Sequence, residues 1–122
     1  MDKRVKKLWI KALKSGEFKQ GVGFLEKDGK YCALGILSLL ALLEGICTYK
    51  EERGVGRFDN KRFNLSFNVM KWAGIAQDDE RFLDPEEHKV LLTVRNTKTS
   101  ILELNDSGKS LKEIAMFVEK YL

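Results

Sequence analysis

At 122 residues, with 43% hydrophobic and 33% charged side chains, the chain has the composition of one globular domain over residues 1–122, long enough to bury a core without metals or disulfides. A single proline argues for helices and against a disordered or sandwich-like design. The net charge of +4 gathers at the start, where residues 1–31 hold nine Lys/Arg against four Asp/Glu, so any field that attracts a nucleotide, nucleic acid or acidic protein belongs to the first quarter.

Met1-Asp-Lys-Arg-Val-Lys-Lys-Leu-Trp-Ile10 is basic but lacks the apolar stretch of a signal peptide, which points to a cytoplasmic setting. Val5, Leu8, Trp9, Ala12 and Leu13 recur at i, i+3, i+4 between an Asp2 cap and a stop at Gly16, and predict a first amphipathic helix. An Asp28-Gly29 turn between short alternating runs predicts one small β-hairpin over about 20–31. Residues 32–44 are apolar on nearly every side, with Gly35, Ser38 and Ala41 at helical spacing, and predict a buried central helix that other elements approach closely. That run is roughly half the ~20 residues a bilayer crossing needs, so no membrane span is expected.

Residues 48–64 show no period and contain two glycines, and read as a long surface loop. Ser66 is placed to cap a short helix that closes at Gly74. Asp84-Pro-Glu-Glu-His-Lys-Val-Leu-Leu-Thr-Val-Arg95 carries opposing signals: the cap, the proline and the early glutamates announce a helix, whereas Val90 to Val94 has strand propensity, and the helix signals are given precedence. The last 21 residues, from Leu102, read as two helices joined at Gly108, the second opened by a Ser110/Glu113 capping box. The pattern lacks the following helix that would read DNA, which argues against sequence-specific DNA as a partner. The fold expected from these elements is a helix-dominated α+β domain, with about five helices around the 32–44 helix and one small hairpin.

Four blocks, Trp9-Ile-Lys-Ala-Leu-Lys-Ser-Gly-Glu-Phe-Lys-Gln-Gly21, Tyr31-Cys-Ala-Leu-Gly-Ile-Leu37, Val69-Met-Lys-Trp-Ala-Gly-Ile75 and Leu104-Asn-Asp-Ser-Gly-Lys-Ser-Leu-Lys-Glu-Ile-Ala115, resemble a group of small uncharacterised proteins common in phage and prophage genomes. The resemblance spans most of the chain and departs from the group's pattern at 47–64 and 76–98. It implies a phage-borne accessory protein acting on a host process, defence included, and supplies no functional residues.

Two constellations could carry chemistry. Cys32 opens the apolar helix, where unpaired N–H groups and the helix dipole favour a thiolate, and His88 with Asn105 or Asp106 follows in the nucleophile, base, orienter order of a papain-like cysteine hydrolase. Against that reading, free cysteines are common core residues, and Asn105-Asp106 precede Ser107-Gly108 as turn-forming residues. One histidine and two scattered cysteines give no metal-ligand spacing, and no cofactor is implied. The segment from Arg53 to Phe63 interleaves cations with aromatics, the combination that holds phosphates by charge and bases by stacking, and marks Arg53, Arg57, Phe58, Lys61 and Arg62 as ligand-binding candidates. It lacks the Gly-Lys-Ser/Thr ending of a P-loop. The leading expectation is a non-enzymatic binding protein for a host protein or an anionic nucleotide-like small molecule, with room for self-association through its small-residue helix faces.

Overall fold

The structure, a computed structural model, describes residues 1–75, 91–94 and 97–122. Helix α1 (Lys3–Lys14) begins where Asp2 Oδ1 accepts a hydrogen bond from Val5 N at 2.9 Å, and it buries Val5, Trp9 and Leu13 as one stripe. The Trp9 indole donates to Ala33 O at 2.9 Å, fixing α1 to the start of α2 (Ala33–Leu43). Because α2 is apolar nearly all round, it is buried from Ala33 to Ser38 and again at Ala41, and it forms the centre of the core. A Cβ at Gly35 would lie 1.8 Å from Leu25 O, so glycine is what lets the Leu25 backbone seat against the helix.

Five short strands, β1 (Lys19–Gln20), β2 (Glu26–Lys27), β3 (Lys30–Tyr31), β4 (Tyr49–Glu52) and β5 (Val55–Phe58), form a mixed sheet in the order β1-β3-β2-β5-β4. Strand β1 runs parallel to β3, and the other pairings are antiparallel. This sheet corrects the expectation of one small hairpin. The Asp28-Gly29 turn does form, with φ of 52° and 78° at its two central residues, but residues 49–58, read as loop, build a second hairpin that joins the first through Lys27 opposite Val55. The second hairpin hides from pattern reading because all four β4 residues are exposed and its turn is Arg53-Gly54, with φ of 54° and 82°, in place of an Asn-Gly or Asp-Gly pair.

A further correction concerns Asp84 to Arg95. Leu91–Val94 is strand β6, paired antiparallel with β7 (Thr97–Ser100) in a separate two-stranded ribbon, so at these residues the strand propensity of the apolar run prevails over the helix-start signals. Residues 84–90 and 95 of that segment lie outside the described residues.

Helix α3 (Phe67–Trp72) is capped by Ser66, whose Oγ accepts from Val69 N at 3.3 Å and donates to Asp59 Oδ2 at 2.8 Å. Asp59 also accepts from the Thr48 backbone N–H and the Asn68 amide, and so ties the end of β5 to the start of α3. Burial acts to raise the Asp59 carboxyl, but the bonds from Thr48, Ser66 and Asn68 outweigh it and hold the group below its ordinary 3.8. Helices α4 (Ile101–Asp106) and α5 (Leu111–Tyr121) follow with Gly108 at φ 98° between them and the Ser110/Glu113 capping box formed. Helix α5 packs along α1, while α3 and α4 pack on α2. Among the described residues, no helix is long and apolar enough to cross a membrane.

Candidate ligand-binding site

The residues leading into and forming the first hairpin make a pocket of about 300 Å³, open to solvent and lined by Gln20, Gly21, Val22, Phe24, Lys27, Asp28 and Lys30. Gly21 belongs here for a steric reason: a Cβ at that position would meet the Lys30 Cβ at 2.9 Å. Lys27 Nζ stands 5.0 Å over the Phe24 ring, and the Phe24 and Phe63 rings are 5.2 Å apart and tilted by 37°. The Arg62 guanidinium in turn lies 5.3 Å from the Phe63 centroid. Leu25 N donates to Arg62 O at 2.8 Å, which holds the Arg62-Phe63 segment beside the pocket. Two cations and two exposed or half-exposed rings therefore form one continuous surface, with cation–π geometry at both ends.

The pocket wall is braced from behind by Asn105, 1% exposed on α4. Its Nδ2 donates to Gly21 O at 2.7 Å, and its Oδ1 accepts from Gln20 Nε2 at 2.8 Å and from Ala33 N at 3.3 Å. Gln20 Nε2 also donates to Lys109 O at 2.8 Å, and the Gly23 backbone N–H reaches Asp106 Oδ1 at 3.4 Å. The turn residues marked in the sequence are thus a tertiary clamp between α4, the start of α2 and the pocket's edge.

The five residues proposed from the sequence do not stay together. Phe58 is fully buried and packs against Tyr49, with ring centroids 5.1 Å apart, so it is a core residue and offers nothing to a ligand. Arg57 faces Glu52 across the second hairpin at 3.2 Å, and its Nε is buried without a hydrogen-bond partner among the described residues. Lys61 follows the positive-φ pair Asp59-Asn60 and bridges back to Phe58, while Arg53 sits at the β4–β5 turn. That turn abuts the pocket through Asp28 N donating to Gly54 O at 2.8 Å. Arg62 alone of the five joins the pocket's aromatic surface. Phe24 and Lys27 escaped sequence reasoning because they lie about 40 residues upstream of Arg62-Phe63 and meet it only through tertiary pairing.

The basic face of α1 is partly engaged inside the molecule. Arg4 forms a bidentate pair with Glu44 at 2.9 Å, while Lys6 and Lys14 reach Glu119 O and Oε2 at 3.2 and 3.4 Å.

Cys32 is fully buried as the N-cap of α2, its Sγ accepting from Gly35 N at 3.4 Å. Burial pushes its thiol up from 9.0 to about 11, overriding the hydrogen bonds from Gly35 and Leu34 that act in the opposite sense. A buried, protonated thiol is a poor nucleophile at neutral pH. Asn105 does neighbour the start of that helix, but its amide is committed to Gln20 and to backbone partners, and His88 lies outside the described residues. Among the described residues, no group of three His, Cys, Asp or Glu could hold a metal ion.

A family model described as a domain of unknown function, DUF8296, matches residues 1–122, and the chain belongs to that family. No curated protein and no solved structure matches it.

Proposed function

We propose that this DUF8296 domain is a non-enzymatic binding protein whose first hairpin and Arg62-Phe63 segment take a small anionic ligand carrying a planar ring, a nucleotide-like molecule. The observation that carries the reading is the paired Phe24 and Phe63 rings, 5.2 Å apart and each attended by a cation, beside the 300 Å³ pocket. A base stacked on such rings contributes about 1–3 kcal/mol, and the adjoining Lys27 and Arg62 supply charge for a phosphate. A pocket of this size stands at the lower end of the range that encloses small ligands. The resemblance to small uncharacterised phage proteins implies an accessory role, in which such a ligand would be sequestered from a host process, but Arg62-Phe63 lie in the 47–64 stretch where the chain departs from that group, so the ligand reading rests on this chain's own geometry.

The test is calorimetric titration of adenosine monophosphate into the protein and into Arg62→Ala and Phe63→Ala, both of them substitutions of exposed side chains. Each variant is expected to weaken binding about tenfold with an unchanged melting temperature. Equal affinity for wild type and both variants would remove the site from this surface.

A further inference from the structure

The register of the sheet sets three lysines side by side. Lys19 on β1 pairs with Lys30 on β3, and Lys30 pairs with Lys27 on β2, so the three occupy neighbouring positions on one face across three adjacent strands. Adjacent strands are about 4.8 Å apart. Like charges directly opposite one another destabilise a sheet, and no ion pair with a described residue relieves any of the three. Asp28 is the only carboxylate among the pocket's lining residues. The row begins at Lys27, beside the Phe24 ring, and runs away from the aromatic surface along the pocket that Lys30 lines.

We infer that the ligand carries a chain of two or three phosphate groups, laid from Lys27 across Lys30 toward Lys19, with its ring on Phe24 and Phe63. This inference rests on the nucleotide reading above and names the class within it: nucleoside di- or triphosphates over monophosphates. Lysine suits the task because its ammonium is a point charge on a flexible stem, so three of them converge on successive phosphates without demanding one fixed geometry. Gly21 keeps the space over Lys30 open, since any side chain there would crowd the Lys30 Cβ. Repulsion along the row falls when a polyanion binds, so affinity and the stability of the free protein oppose each other at Lys30.

The experiment compares adenosine triphosphate, adenosine monophosphate and inorganic tripolyphosphate by calorimetry on wild type, Lys19→Ala, Lys30→Ala and, as a control on the exposed face of α1, Lys7→Ala. Expected is tenfold or greater preference for triphosphate over monophosphate, lost in Lys30→Ala and reduced in Lys19→Ala, with Lys7→Ala unchanged. Lys30→Ala is further expected to melt at or above the wild-type temperature, so that lost binding is separated from lost folding. Equal affinity for the two nucleotides, indifferent to Lys19 and Lys30, overturns the phosphate chain and leaves the nucleotide reading standing. Tripolyphosphate binding as tightly as the nucleotide, with no effect of Phe63→Ala, retains the lysine row and overturns the ring. Failure of all three probes to bind at millimolar concentration overturns both.

Discussion

Cys32 joins two properties that decide its chemistry: its sulfur caps the central helix, and it has no access to solvent. The helix start that makes a cysteine reactive elsewhere is here outweighed by desolvation, which holds the thiol near 11. A raised thiol pKa stabilises the fold while the pH stays below the unfolded value of 9.0, and that contribution fades as pH climbs toward about 11. Iodoacetamide at pH 8 is therefore expected to leave Cys32 unmodified in the native protein and to label it after denaturation, as read by peptide mass mapping. Rapid native labelling would instead expose a thiolate and revive the hydrolase reading. Asp59 shows the opposite sign. Its carboxyl is held low by Thr48, Ser66 and Asn68, so it stabilises the protein above 3.8 and that contribution disappears as pH falls through the lowered folded value. Denaturation curves for Asp59→Asn are expected to show less loss of stability than wild type between pH 5 and pH 2; identical pH profiles would mean that these bonds add nothing.

Among the elements, α2 and the first hairpin depend on one another through Gly35. A methyl group there would sit 1.8 Å from Leu25 O, against backbone that cannot swing aside. Gly35→Ala is expected to cost about 3 kcal/mol by overpacking, measured by urea denaturation, and to disturb the Leu25-Glu26-Lys27 segment that carries one of the pocket's two lysines. A cost below 0.5 kcal/mol would mean that helix and strand separate easily. The spacing of Gly35, Ser38 and Ala41 announced this close approach in the sequence, as the Asp2, Ser66 and Ser110 caps announced three helices, because each rests on local chemistry within one turn. The second hairpin was not legible for the same reason inverted. Its edge strand is exposed on every residue, and its Arg-Gly turn lacks the Asn-Gly or Asp-Gly pair that signals such a turn in a sequence.

In the whole molecule, the candidate site is divided along the chain. The Asp28-Gly29 turn was legible, and of the five candidates marked between Arg53 and Arg62 only Arg62 reaches the site, whereas Phe24, Lys27, Lys30 and Phe63 were not marked. The parallel pairing of β1 with β3, the packing of Phe24 on Phe63 and the bracing of Gly21 by Asn105 join segments about 11, 40 and 84 positions apart, and no local signal encodes them. The excess positive charge of the first quarter resolves, on folding, into an α1 face partly neutralised by Glu44 and Glu119 and a hairpin row with no ion-pair partner among the described residues. The division between these two basic regions can be read directly. Titration of adenosine monophosphate into isotope-labelled protein, followed by amide chemical shifts, should move Gly21, Val22, Phe24, Lys27, Arg62 and Phe63 and leave Lys3, Lys7 and Lys11 of α1 in place. Shifts confined to α1, or none at millimolar nucleotide, would contradict a nucleotide site at the first hairpin.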